Sequence, residues 1–158
     1  MGAKMIRKFR SFWKNYVWQS CLAALTIFLV LLFLNLEHAV VIAAIGATAF
    51  IVFAMPDNIT AHSKNIIGGH LVGFFVGSLC ALIPQSSLWC SIMSYSLAVG
   101  LSIFIMLIID AGHPPAAATA LGLAIMGFSL NAAVAVVTSS VLLALTHHFL
   151  NPFLKNLV

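Results

Sequence analysis

Two short stretches hold most of the chemistry available to this chain. One runs from Lys64-Asn65 through Gly68-Gly69 to His70. The other reads Asp110-Ala111-Gly112-His113-Pro114-Pro115 and leads into a run of small residues, Ala116-Ala117-Ala118-Thr119-Ala120. A histidine changes charge close to neutral pH, and a nearby carboxylate holds the imidazolium or takes up its proton. Asp110, three residues before His113, suits that role. Pro114 and Pro115 fit the first turn of a helix, and a helix start carries the positive dipole end that attracts anions. Lys64, Asn65, His70, Asp110, His113 and Thr119 are therefore the candidate substrate-binding or gating residues. The chemistry they suit is binding of a small anion, with a proton linked to it. The plainer alternative makes Asp110 or His113 a helix cap and His70 a satisfied core residue.

The elements that must position those residues follow from composition. Of 158 residues, 63% are apolar and 6% charged, with a mean hydropathy of +1.14. A soluble domain is about 45–50% apolar and about 25% charged. So few charged side chains cannot clothe a water-soluble globule of this size. Soluble enzymes, nucleic-acid binders and disordered chains are excluded, and the chain reads as an integral membrane protein. Ionisable groups are expensive inside a membrane, so His70, His113 and Asp110 read as functional there. There is no HExxH, no Gly-x-Ser-x-Gly and no cluster of acids, so no enzyme, cofactor or metal site is expected. Cys21, Cys80 and Cys90 are odd in number, lack metal-ligand spacing and read as small packing residues.

Apolar runs at 17–36, 38–55, 66–83, 88–109, 115–130 and 132–150 predict an all-α, polytopic transmembrane bundle of about six segments. The fifth run is short for a bilayer core of about 30 Å. Lys4, Arg7, Lys8, Arg10 and Lys14 precede the first run, making 1–16 a basic tail. The first run is too long for a signal core and no small-residue cleavage site follows, so it reads as a retained helix. With the tail in the cytoplasm, six crossings also put Lys64 and Lys155 there, as the positive-inside rule asks. The expectation is a bacterial inner-membrane protein with both termini cytoplasmic. Its partners would be the lipid bilayer, a small anion and further copies of itself, with no nucleic acid.

A shift of 71 residues aligns Trp18-x-Ser20 with Trp89-x-Ser91 and Ala47-Thr48-Ala49 with Ala118-Thr119-Ala120. Three spans per half would make this an inverted 3+3 repeat, a symmetry common in transporters. Gly69, Gly73 and Gly77 form a small-xxx-small stripe for close helix packing, and Pro114 and Pro115 are likewise assigned to helix structure. Glu37-His38 reads as a solvated turn, and His147-His148 as a favourable end to the last helix rather than a metal site. Trp13, Trp18 and Trp89 fit an aromatic belt.

Gly46-Ala47-Thr48-Ala49 with Phe53-Ala54-x-Pro56, Asn65-x-x-Gly68-Gly69-His70, and His113-Pro114-Pro115-Ala116-Ala117-Ala118-Thr119-Ala120 together resemble the HPP family of integral membrane proteins, over about residues 38–125. The resemblance implies a membrane bundle, often described as having four helices, and some members are described as nitrite transporters. Lys64 stands where relatives commonly have arginine, which keeps the charge and loses the bidentate fork. Ala117 stands where relatives often have glycine. The expected function is transport of a small inorganic anion, nitrite leading. The alternatives are a non-transporting membrane scaffold, or a channel for a cation or neutral solute.

Overall fold

The computed structural model describes residues 2–33 and 39–158, with side chains described at 10–32 and 42–158. Six helices follow in order: α1 Gly2–Phe33, α2 Ala39–Ala54, α3 Ser63–Cys80, α4 Leu88–Ile108, α5 Pro114–Met126 and α6 Leu130–Leu150. No strand occurs among the described residues. The basic segment at 1–16 is helical from Gly2 on, as the start of α1. Glu37-His38 and the side chains of Lys4, Arg7 and Lys8 lie outside the described residues.

Local chemistry sets the helix ends. Ser87 and Ser129 cap α4 and α6 by accepting from the N–H groups of Cys90 and Ala132, each satisfying an orphan donor. Gly127, at φ 79, closes α5 in a backbone region that costs glycine little. Asp110, at φ 52, is left-handed too. It follows α4, and the Ala111 N–H reaches back to the Met106 carbonyl at 2.8 Å, a Schellman-type stop.

Among the described residues, three helices are long and apolar enough to cross a membrane by length and composition: Arg10–Leu32 in α1, Leu88–Ile108 in α4, and Leu130–Phe153 from α6 onward. α2 and α5 are apolar but shorter. At about 1.5 Å per residue, the 13 residues of α5 reach only about 20 Å, shorter than the run at 115–130 suggests. Long α1 and α4 turn large apolar side chains outward, among them Phe28, Leu32, Met93 and Phe104. The short helices lie inside.

α3 is central and packs against α4, α5 and α6. Its glycine stripe is the reason it can meet α5 so closely. A Cβ on Gly73 would collide with the Ala116 carbonyl oxygen, and one on Gly77 with that of Ala120. The packing pattern also has two-fold character. α1 on α2 mirrors α4 on α5, α1 on α6 mirrors α4 on α3, and α2 on α6 mirrors α5 on α3. The pairs α2–α5 and α3–α6 map onto themselves. That is the arrangement the 71-residue repeat implies.

Candidate functional site

The stripe that joins α3 to α5 also builds the site. A Cβ on Gly69 would fall 2.6 Å from the Cβ of His113, so the bare backbone there lets His113 sit over α3. His70, the next residue, is buried, and so is His113, with ring centroids 5.1 Å apart. Thr48 Oγ1, from α2, lies 2.9 Å from Nε2 of both histidines. Nδ1 of His70 is 2.9 Å from Thr119 Oγ1 on α5. Nδ1 of His113 is 2.8 Å from the carbonyl of Thr60, which sits in a one-turn 3-10 helix at Ile59–Ala61. Four elements, α2, the 3-10 helix, α3 and α5 with its N-cap residue, thus meet at two imidazoles, and each ring nitrogen has a partner.

Thr48 and Thr119 are the residues the 71-residue shift superposes, and in the fold they bracket His70 on its two nitrogens. The sequence reading included Thr119 but missed Thr48 and the Thr60 carbonyl. The paired Ala-Thr-Ala triplets were the signal for Thr48. Nothing in residue type marks a backbone carbonyl.

The remaining candidates lie at the rim. Asn65 is buried and donates from Nδ2 to the Gly112 carbonyl at 3.0 Å, tying the start of α3 to the loop before α5. Lys64 pairs with Asp110 at 2.9 Å, where the side chains are 61% and 84% exposed. Two expectations are corrected here. Asp110 faces Lys64 rather than His113, because its left-handed backbone turns it away after the last turn of α4. The start of α5 is also no array of free donors. Pro114 and Pro115 have no N–H, and the Ala116 N–H is bonded to the His113 carbonyl at 2.9 Å. Only the dipole remains.

A cleft of about 470 Å³ opens between these groups and α4, bounded by Thr60, Asn65, Asp110 and His113 and by the apolar side chains of Met106 and Leu107. Among the described residues no group of three or more His, Cys, Asp or Glu side chains could hold a metal. His147, in the last turn of α6 as the sequence suggested, is also buried and donates from Nε2 to the Pro56 carbonyl at 2.9 Å. Gln19, which the sequence did not single out, is buried and donates to the carbonyls of Phe53 and Lys155, binding α1 to the end of α2 and to the C-terminal segment.

The model of the HPP transmembrane region matches residues 9–156. The chain belongs to the HPP transmembrane family. The match extends well beyond the 38–125 stretch whose motifs carry the resemblance. This HPP protein is 35% identical over 96 residues to a transmembrane protein of Dictyostelium discoideum, across 60% of this chain and 33% of that one. The matched region therefore spans about a third of the relative's length. No solved structure matches the chain.

Proposed function

We propose that this HPP protein carries a small inorganic monoanion across a bacterial inner membrane, nitrite being the leading candidate, with the buried histidine pair as the proton-linked element. The observation that carries the reading is that pair. Two buried imidazoles share one threonine hydroxyl at the meeting of α2, α3 and α5, beside a cleft that reaches His113. Buried ionisable groups in a membrane protein are costly and mark pathways, and a scaffold has no use for them.

An anion entering the cleft passes Asp110 on its wall and must draw Lys64 out of its pair with that carboxylate. Deeper in, the Nδ1–H of His113 is the donor to be won, and the Thr60 carbonyl is the acceptor to be displaced. Asn65 holds the loop that carries His113 in place. Six crossings with both termini cytoplasmic suit this scheme. Gln19 to Lys155, His147 to Pro56, and Lys64 to Asp110 gather the middle of α1, the ends of α2 and α6, the start of α3 and the α4–α5 turn. The basic residues Arg10, Lys14, Lys64 and Lys155 lie on or beside these segments, the cytoplasmic side by the positive-inside rule.

The test is uptake of nitrite, nitrate, formate and metal cations into liposomes holding the purified full chain, with and without an imposed pH gradient. Saturable nitrite flux that responds to the gradient and falls in His70→Ala and His113→Ala is the expected result. No flux of any solute would overturn transport in favour of a scaffold. Cation flux alone would make the protein a cation channel.

A further inference from the structure

The hydrogen bonds around the two histidines can be assigned a direction from one end. A carbonyl oxygen only accepts, so Nδ1 of His113, 2.8 Å from the Thr60 carbonyl, carries a proton. With one proton on the ring, Nε2 of His113 is bare and must accept. Its partner is Thr48 Oγ1 at 2.9 Å, so the Thr48 hydroxyl donates to it. That uses the only proton Thr48 has. His70 Nε2, 2.9 Å from the same oxygen, must then donate to it. This leaves Nδ1 of His70 bare, to accept from the Thr119 hydroxyl at 2.9 Å. Every link points the same way, from Thr119 through His70, Thr48 and His113 to Thr60. Run in the opposite sense, the chain would set a bare ring nitrogen against a carbonyl.

Thr48 has one more option. Its oxygen is 3.0 Å from the Ala44 carbonyl, one helical turn back. If His113 takes a proton on Nε2 from hydronium, leaving water, that nitrogen becomes a donor to Thr48. The Thr48 hydroxyl then turns to Ala44, and no donor is stranded. The other groups on the surrounding elements are engaged elsewhere or neutral: Lys64 with Asp110, His147 with the Pro56 carbonyl, and Asn65 with the Gly112 carbonyl.

We propose that Thr48 on α2 is the positioning residue that couples the two histidines, its one hydroxyl accepting from His70 and donating to His113, and holding His113 as the Nδ1–H and His70 as the Nε2–H tautomer. The consequence for flux rests on the transport reading, whereas the tautomers do not. Coupling means that a change on either ring reaches the other through a single rotor.

The experiment is solid-state ¹⁵N NMR of the full chain in lipid bilayers with labelled histidine, signals being assigned by their loss in His70→Gln and His113→Gln. The wild type should show opposite tautomers, Nδ1–H at His113 and Nε2–H at His70. Thr48→Ser should keep both patterns. Thr48→Val, close in shape, should move the signals of both rings, and Thr119→Val those of His70 first. Identical tautomers, or His113 as Nε2–H, would overturn the proposal from the wild-type spectrum alone, whatever the variants' folding. A change confined to one ring in a folded Thr48→Val protein would overturn it too. In liposomes, Thr48→Val should cut the response of uptake to the pH gradient about tenfold, the scale of one lost hydrogen bond, with Thr48→Ser restoring it. Opposite tautomers without any nitrite flux would remove the transport reading and leave the coupling standing.

Discussion

Asp110 shows how backbone conformation decides what a side chain can do. At φ 52 it occupies the residue position after α4 that favours glycine, and its carboxylate meets an exposed lysine rather than a buried histidine. An exposed pair of this kind contributes at most about 1 kcal/mol. Asp110→Gly should therefore leave the thermal midpoint in detergent unchanged or raised. Asp110→Ala should cost up to about 1 kcal/mol, because it keeps the Cβ in the left-handed turn and gives up the Lys64 pair and the tolerance of aspartate for that conformation. Asp110→Asn should release the Lys64 ammonium and lower the apparent KM for nitrite at low ionic strength. An unchanged KM in that variant would take Lys64 off the anion's route. At His147 the balance is different, since the ring is buried and holds the Pro56 carbonyl. His147→Ala should destabilise the protein by about 1–3 kcal/mol, the cost of an unpartnered buried acceptor, seen as an earlier midpoint without a direct change at the histidine pair.

Among the elements, α3 and α5 carry the most consequence per residue. Their contact depends on hydrogen atoms where other residues have methyl groups, and it sets the register that places His70 against Thr119. Gly73→Ala would push a methyl into the Ala116 carbonyl. Overpacking of this kind costs about 1–3 kcal/mol, so the variant should melt earlier and lose uptake together with the His70 NMR pattern. Gly100, on α4, has no heavy atom within 4 Å of an added Cβ. Gly100→Ala is the matched control and should be neutral or stabilising by up to about 1 kcal/mol through helix propensity. Equal melting of the two variants would mean that the stripe is not what joins the helices.

For the whole molecule, the two-fold packing pattern ties topology to the site, because it places short α2 and α5 together between the long outer helices. The Gln85 side chain donates to the Ala124 carbonyl at 3.0 Å, which gathers the α3–α4 loop and the end of α5 away from the Lys64 end. Reporter fusions after residues 55, 83, 110 and 130 should alternate cytoplasmic, outside, cytoplasmic, outside. An outside signal after 110 would separate the Lys64 end into two compartments and remove the cleft as an entry point. The Trp residues agree with such a frame: Trp13 and Trp18 sit exposed in α1, and Trp89 is exposed at the start of α4.

By itself the sequence determined the membrane class, the order of the six helices and the approximate bounds of all but α1, the close face of α3 and the two histidines as the groups to watch. Each of these is a local or compositional property: apolar run length, small residues every fourth position, and ionisable side chains within or beside apolar runs. Only the tertiary structure decided which polar groups meet. Thr48, Thr60 and Gln19 act across 22 to 136 residues of chain, through a hydroxyl, a backbone carbonyl and an amide of ordinary type. Asp110 and His113, close in sequence, are parted by a left-handed turn. Hydrogen bonds of this reach depend on distances of a few tenths of an ångström between helices, and residue spacing along one chain does not encode them.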